Sequence, residues 1–441
     1  MISLGTSVSL STVFYYDSKD NHKIAILPKL LDGKRTIMFG GPAPFSRLET
    51  EQAVEFSNLS DQLLEHVDEI YAIYCQDSFV TREFQRSIEA KTGKKNIQFL
   101  LIKFGLFSFL FSCLWLSAKD RPNIIFIFAD DWGWGDLSCH GNTWLKTPRL
   151  DKLASEGIDF QQFNVLSPVC SPSRAAAMTG RFPGRFGINT VFGVTKPPEM
   201  PDWLDPRAPT TPRLLKSAGY RTGHFGKWHL GEGKPTMADY GIDDSAVYHG
   251  PGPKVGPYGN DIPNQAIKFI EANKDRPFYV NVWLHESHLA HNPSAKAMAQ
   301  WKHLDPRQQV YAAVITDGDD KVGLILDALE RCGIAQDTLV IFSSDNGPAK
   351  PKAGDQGVPG KYRGHYNVGE TGGLRGQKTS LFEGGVRVPF IVRWPGRAPA
   401  GLKNDATVLT AVDLLPTFCA VAGINPPDQT DGENLLPAIK G

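Results

Sequence analysis

From residue 119 onward the sequence predicts an α/β fold with a mostly parallel central sheet flanked by helices. Three observations predict it. Apolar runs of strand length (IIFIFAD, FYVNVWL, TLVIFSSD and VPFIVRW) each have Pro or Asp at one end or beside it, and such continuous runs suit strands covered on both faces. Segments of helical character lie between them, so strands and helices alternate. Two of the runs lead straight into clusters of acidic and amide residues, and in open α/β sheets the polar site forms beyond the carboxyl ends of strands.

Taken in order, IIFIFAD begins after Pro122 and reads as a buried strand. Thr147 to Glu156 reads as a helix opening with Pro148, whose missing N–H costs nothing in a first turn. FYVNVWL and TLVIFSSD are further strands, and Gln308 to Arg331 is a long helix whose middle is weakened by Gly318 and Gly323. VPFIVRW is the last strand of this kind, and Thr410 to Ala422 the last helix. The sequence contains no internal repeat and no low-complexity tract.

At 441 residues the chain is longer than one ordinary domain. Lys plus Arg and Asp plus Glu are equal at 47 each, so the overall charge favours neither nucleic acid nor an acidic membrane as partner. Positive charge that matters must be local, inside a site. An apolar content of 41% with 43 Gly and 32 Pro suits a loop-rich globular enzyme, not a disordered chain. The six cysteines (Cys75, Cys113, Cys139, Cys170, Cys332, Cys419) are scattered without a CxxC pair, which argues against a disulfide framework and against a zinc site.

Three parts are expected: residues 1–96, 97–118 and 119–441. The middle one holds the apolar run Phe104 to Ala118, preceded by Lys94, Lys95 and Lys103 and closed by the small residues Ser117 and Ala118. That arrangement describes a secretory signal peptide, so the following domain is expected to be exported, with membrane contact only through an uncleaved signal. The run is short of the roughly 20 apolar residues a spanning helix needs. Its position is internal, and no Met lies between Met38 and Met178, so initiation at a non-Met codon near Ile97 to Leu101 is the start site that fits it. In residues 1–96, Thr36 to Phe39 and Ile70 to Tyr74 read as strands flanking a helix. This segment resembles the first half of a peroxiredoxin of the thiol-peroxidase type. Glu49 stands where that family carries its peroxidatic cysteine, so no peroxide chemistry is expected there.

Chemistry concentrates in a few segments of the third part. In ADDWGWGD, the adjacent Asp130 and Asp131 repel each other unless a cation offsets them, and oxygen ligands suit Ca²⁺ or Mg²⁺; a solvated acidic turn is the plain alternative. SSDNG adds Asp345 and Asn346 after another strand, where a tight Asn-Gly turn is the plain alternative. In CSPSRAAAMTGR, Cys170 reads as a nucleophile whose pKa is lowered by Arg174 one helical turn on, or else as a buried free cysteine before a helix. GHFGKWHLG supplies Lys227 and His229, which share a face if the segment is extended. LHESHLAH contributes His285 and His288, and Lys378 precedes EGGVRVP.

Cys170-Ser171-Pro172-Ser173-Arg174, with DDWGWGD, GKWHLG and EGGVRVP in register around it, resembles the formylglycine-dependent sulfatases over about residues 121–441. The resemblance implies an arylsulfatase-like enzyme of the alkaline-phosphatase/sulfatase type of fold, cleaving a small-molecule or carbohydrate sulfate ester to alcohol and sulfate. It implies a maturation enzyme that converts Cys170 to formylglycine, and one Ca²⁺ or Mg²⁺ held by Asp130, Asp131, Asp345, Asn346 and modified Cys170. Arg174 would orient the formylglycine hydrate, Lys227 would clamp sulfate, and His229 would take a proton from the hydrate. His288, with His285 as competitor, would protonate the leaving alcohol, and Lys378 would contact the bridging oxygen. Two departures stand out: the stretch from Gly231 to Phe278 is short for the family, and the chain ends where the smaller C-terminal subdomain would begin, leaving a strand row uncovered. A phosphonate or phosphate monoester hydrolase of the same fold, or an inactive truncated relative, is the alternative. A two-metal phosphatase would need a second His/Asp set, and Lys227 and Lys378 stand here instead.

Overall fold

A computed structural model describes residues 36–41, 69–74, 97–100, 121–193, 196–231, 235–248, 258–288, 291–350 and 366–440. The chain divides into two compact units, Met1–Leu116 and Ser117–Gly441. In the first, β1 (Thr36–Gly41), β2 (Glu69–Tyr74) and β3 (Ile97–Leu100) form a parallel sheet in the order β1-β2-β3. Ile97 to Leu100, expected to open the leader-like segment, are thus a strand of this sheet. Glu49 and the apolar run Phe104 to Ala118 lie outside the described residues.

The second unit is built on an eight-stranded sheet. Its strands are β4 (Asn123–Ala129), β5 (Ile158–Asn164), β6 (Arg221–Lys227), β7 (Asp244–Tyr248), β8 (Phe278–Trp283), β9 (Thr338–Ser344), β10 (Phe390–Arg393) and β11 (Leu402–Thr410). They lie in the order β11-β5-β10-β9-β4-β8-β6-β7. All neighbours are parallel except β10, which runs antiparallel to both β5 and β9. The expectation of a mostly parallel sheet holds, and VPFIVRW proves to be the one reversed strand. An apolar run carries no mark of direction, so sequence could not distinguish it.

Alternation along the central strands sends side chains to two cores. Ile124, Phe126 and Phe128 of β4 face one, with Tyr279, Trp283, Leu339 and Ile341. Ile125, Ile127 and Ala129 face the other, with Val280, Val282, Val340 and Phe342. The first is covered by α2 (Cys170–Thr179), α3 (Thr211–Ser217) and α6 (Leu414–Val421), the second by α1 (Pro148–Ser155), α4 (Tyr258–Asn273) and α5 (Pro306–Arg331). Apolar strands with no polar face are explained by this double cover. The edge strand β11 is different: LKNDATVLT is largely exposed, with Val408 65% accessible. Its polar composition hid it from the apolar-run criterion. Gly318 and Gly323 do not break α5. Their missing Cβ atoms make room for Trp132 and Arg149, whose side-chain atoms would lie 2.5 and 2.7 Å from an added methyl.

Phe126 is 1% exposed and packs on Phe128, Trp283 and Phe418. Phe126→Ala is therefore expected to cost about 3–5 kcal/mol of folding stability, read from urea unfolding midpoints at constant slope.

Candidate active site

Parallel pairing of β4 and β9 places Ala129 opposite Ser344, so the residues that follow each strand emerge side by side. The Asp131 N–H donates to Asp345 Oδ1 at 3.1 Å, across a sequence separation of 214 residues. Asn346 Nδ2 donates to Asp131 Oδ1 at 2.7 Å and to the Gly347 carbonyl at 2.9 Å. Those bonds fix the amide and leave Asn346 Oδ1 buried with no hydrogen-bond partner among the described residues. A buried acceptor without a donor is costly, and a cation is one way to satisfy it.

Cys170 opens α2, with Pro172 in the first turn where the early N–H groups have no helical partners. It is 1% exposed. Its Sγ lies 3.7 Å from Asp130 Oδ1, 3.3 Å from Lys227 Nζ and 3.6 Å from Lys378 Nζ. One turn on, Arg174 meets Asp345 Oδ2 through Nε at 2.9 Å and Nη2 at 2.7 Å, and stands 3.6 Å from Asp130. Its guanidinium lies 5.0 Å from the Trp283 ring centroid and 5.4 Å from that of Phe128, which seals it from water on that side.

The ordinary cysteine reading fails here. Burial, then Asp345, pushes the Cys170 thiol up to about 12, so Arg174 does not generate a thiolate. Arg174 is spent on the carboxylates instead.

Lys227 Nζ holds both Asp130 oxygens at 2.8 Å, and Lys378 Nζ holds those of Asp131 at 2.5 and 2.7 Å. Burial alone would lower both lysines, but Asp130 and Asp131 respectively more than reverse it and keep them charged. Burial would likewise raise Asp130; the Lys227 ammonium above all holds it well below the carboxylate range. Asp345 goes the other way, because burial outweighs Arg174. Gly226 lets β6 deliver Lys227: it has φ 116°, and an added Cβ would sit 1.9 Å from the Trp283 carbonyl oxygen.

The histidines come in by a different route from the one expected. β6 ends at Lys227, and His229 has φ 53°, so the two do not alternate along one extended segment. His229 feels the charges of the site: burial, then Lys227 and Arg174, hold it at about 3. Its Nε2 meets the Phe192 carbonyl at 3.1 Å, which fixes that nitrogen as the donor, and Nδ1 is buried with no partner among the described residues. Burial, then Lys227, holds His288 well below its usual value. Donor atoms of Asp130, Asp131, Cys170 and His288 all lie within 4.8 Å of one another. The competitor His285 is also present, with Nδ1 3.0 Å from Asp130 Oδ2 and its ring 5.0 Å from that of His288. Short contacts thus gather Asp130, Asp131, Cys170, Arg174, Lys227, His285, His288, Asp345, Asn346 and Lys378, while the hydrogen bond of His229 goes to Phe192.

Sequence reasoning missed the supports. Ser287 donates its hydroxyl to the Asp130 carbonyl at 2.9 Å, and Tyr311 donates to Asp136 at 2.8 Å. Among the described residues, the non-glycine positions with positive φ are Asp131, His229, Ser287 and Thr379, each within one residue of a predicted site residue or identical to one. Left-handed backbone costs about 1–3 kcal/mol at such positions and concentrates at functional sites. No residue type announces it in the sequence.

Residues 122–424 match the family model described as Sulfatase. The chain belongs to the sulfatase family. It is 33% identical to the N-acetylgalactosamine-6-sulfatase of Canis lupus familiaris over 371 residues, 74% of this chain and 67% of that protein. It is 32% identical to the arylsulfatase A of Homo sapiens over 377 residues, 74% of this chain and 71% of that protein. Among solved structures it resembles Ps i-CgsB in complex with k-i-k-neocarrahexaose, at a TM-score of 0.64 and 27% identity over 72% of this chain and 76% of that one. The phosphonate monoester hydrolase of Agrobacterium radiobacter shares the fold, with a TM-score of 0.52 and 20% identity over 73% of this chain and 77% of that one. The arylsulfatase-like enzyme class expected from the motifs is therefore that of a sulfuric ester hydrolase.

Arg174 and Asp345 are fully buried partners, so deleting one strands the other. Arg174→Met is expected to lose about 3–5 kcal/mol of folding stability in urea, against which Arg174→Lys measures what the forked geometry adds.

Proposed function

We propose that this sulfatase cleaves a carbohydrate sulfate monoester to alcohol and sulfate, using formylglycine made from Cys170 by a maturation enzyme and one bound Ca²⁺ or Mg²⁺. The observation that carries the reading is the position of Cys170 Sγ between Asp130, Lys227 and Lys378, in a buried cluster where a thiol stays protonated. An oxygen nucleophile at this position suits sulfur chemistry better than an idle thiol.

The residues present fit a hard divalent ion. Asp130 and Asp131 supply carboxylates; among the described residues Asn346 Oδ1 has no partner and Asp345 Oδ1 accepts the Asp131 N–H with a lone pair to spare. Asp130, Asp131, Asp345, Asn346 and residue 170 would hold the ion. When bound, it supplies a Lewis acid that lowers the pKa of a hydrated formylglycine hydroxyl and polarises a sulfate oxygen.

The rest follows from the chain's own groups. Asp130, Asp131 and Asp345 are offset by Arg174, Lys227 and Lys378, so a divalent ion tips the cluster positive and favours a sulfate monoester anion. Lys227 and Lys378 point ammonium groups at residue 170 and would bind sulfate oxygens and the bridging oxygen as charge develops there. Arg174 would orient residue 170. His229, neutral with an open Nδ1, would accept the second hydroxyl proton. His288, next to His285, would protonate the leaving alcohol once a bound sulfate anion offsets the burial and Lys227 charge that otherwise keep it deprotonated.

The carbohydrate class is supported by relatives named for an amino sugar sulfate and by a structure holding a carrageenan oligosaccharide. Export through the Phe104 to Ala118 run is part of the same reading.

Protein from a host that makes formylglycine should hydrolyse an aryl sulfate and sulfated sugars faster than the matching phosphates. Chelation followed by gel filtration should abolish turnover, and Ca²⁺ or Mg²⁺ should restore it; turnover unaffected by chelation would contradict the reading, as would a preference for phosphate. A base accepts protons only above its own pKa, and His229 sits at about 3. The kcat profile should therefore show no acid limb attributable to His229 near the ordinary value of about 6.5. A limb there that disappears in His229→Gln would contradict the assignment.

A further inference from the structure

Away from Cys170, a second group of metal-binding side chains lies where the loop after β4 meets the start of β5. Cys139 and His140 are adjacent in a short 3-10 turn, Ser138–His140, and Asp159 is the second residue of β5. A thiol, an imidazole nitrogen and a carboxylate oxygen from these three residues lie within 4.8 Å of one another. In the sheet, β10 separates β5 from β9 and its ligand residues.

We propose that Cys139, His140 and Asp159 form a second metal site, suited to a borderline-soft divalent ion such as Zn²⁺ and separate from the oxygen-ligand site at Asp130 and Asp131.

Four features make this a built site. His140 Nδ1 donates to the Trp134 carbonyl at 2.7 Å, and the ring stacks on Trp134 at 4.3 Å and 24°. That bond leaves Nε2 as the ligand nitrogen and fixes its direction, the usual role of the outer partner of a metal-binding histidine. Nε2 faces both Asp159 oxygens, at 2.9 and 3.1 Å, in a place where the side chains are 0% and 4% exposed. A proton or a metal ion can hold that pair together; bonds of about 2.0–2.3 Å to a tetrahedral zinc need only a slight widening.

Cys139 is held in place as well. Its N–H donates to Asp151 Oδ1 at 2.9 Å, while Ser138 donates to Asp151 Oδ2 at 2.6 Å, tying the turn to α1. The thiol is in no disulfide and the residue is half-buried. Burial, then Asp159 and Asp151, pushes it up, so a cation is what makes it ionise. Lastly, a cavity of about 220 Å³ lined by His140, Asn142, Trp144 and Glu370 lies beside the turn that carries His140.

Sulfur, nitrogen and oxygen together favour zinc, whereas the Asp130 site offers hard oxygen donors. Binding displaces the thiol proton, so affinity falls as pH falls. A CxxC spacing would not detect this group, because Asp159 comes from a strand 19 residues beyond His140.

The test uses the full chain with Cys170→Ser, which removes the other buried thiol near carboxylates, in excess Ca²⁺. Zn²⁺ should bind at one ion per chain and raise Tm, and Co²⁺ should give a thiolate-to-cobalt charge-transfer band. Adding Cys139→Ser should abolish the band and the Zn²⁺-dependent rise in Tm. Should that variant not fold, Asp159→Asn should weaken Zn²⁺ at least about ten-fold, the smallest loss expected even from an outer partner. No zinc uptake by the chain, or uptake and band unchanged by these substitutions, overturns the proposal.

Discussion

The interaction on which the site depends is the buried balance of three carboxylates against three cations. Asp130, Asp131 and Asp345 sit at the ends of two hydrogen-bonded strands, and Lys227, Lys378 and Arg174 reach them from β6, a late loop and α2. Like charges at such proximity in a low-dielectric interior are tolerated only when paired. The pairing also explains why so many distant segments must meet. Each cation comes from a different part of the chain, and without any one of them a carboxylate is left uncompensated.

The backbone bends to serve this balance. Gly226 admits the close approach that delivers Lys227, and left-handed residues at Asp131, His229, Ser287 and Thr379 turn the chain around the cluster. The rigid part is the sheet with its two apolar cores. Among the described residues, left-handed non-glycine backbone lies in loops fixed on that scaffold, where hydrogen bonds such as Ser287 to the Asp130 carbonyl hold it. The cysteine placed at the centre is kept protonated by burial and by Asp345.

What could be read from sequence were features with one physical cause. Apolar runs marked the central strands because both faces are buried, and Asp130-Asp131 and Asp345-Asn346 stood out because they follow such runs at once. β5, as IDFQQFN, and the exposed β11 escaped, since neither is uniformly apolar. The reversal of β10 escaped because hydrophobicity has no direction. The turn at His229, the Tyr311 to Asp136 bond and the Cys139–His140–Asp159 group arise from tertiary placement alone, which no spacing rule encodes.

The central claim is that residue 170 acts through oxygen and not through sulfur. The most direct measurement is the mass of the peptide containing residue 170, from protein made in a host that can generate formylglycine. The account predicts a peptide lighter than the cysteine form by the exchange of sulfur for oxygen and loss of two hydrogens, accompanied by its hydrate. An intact, alkylatable thiol in turning-over enzyme would contradict it.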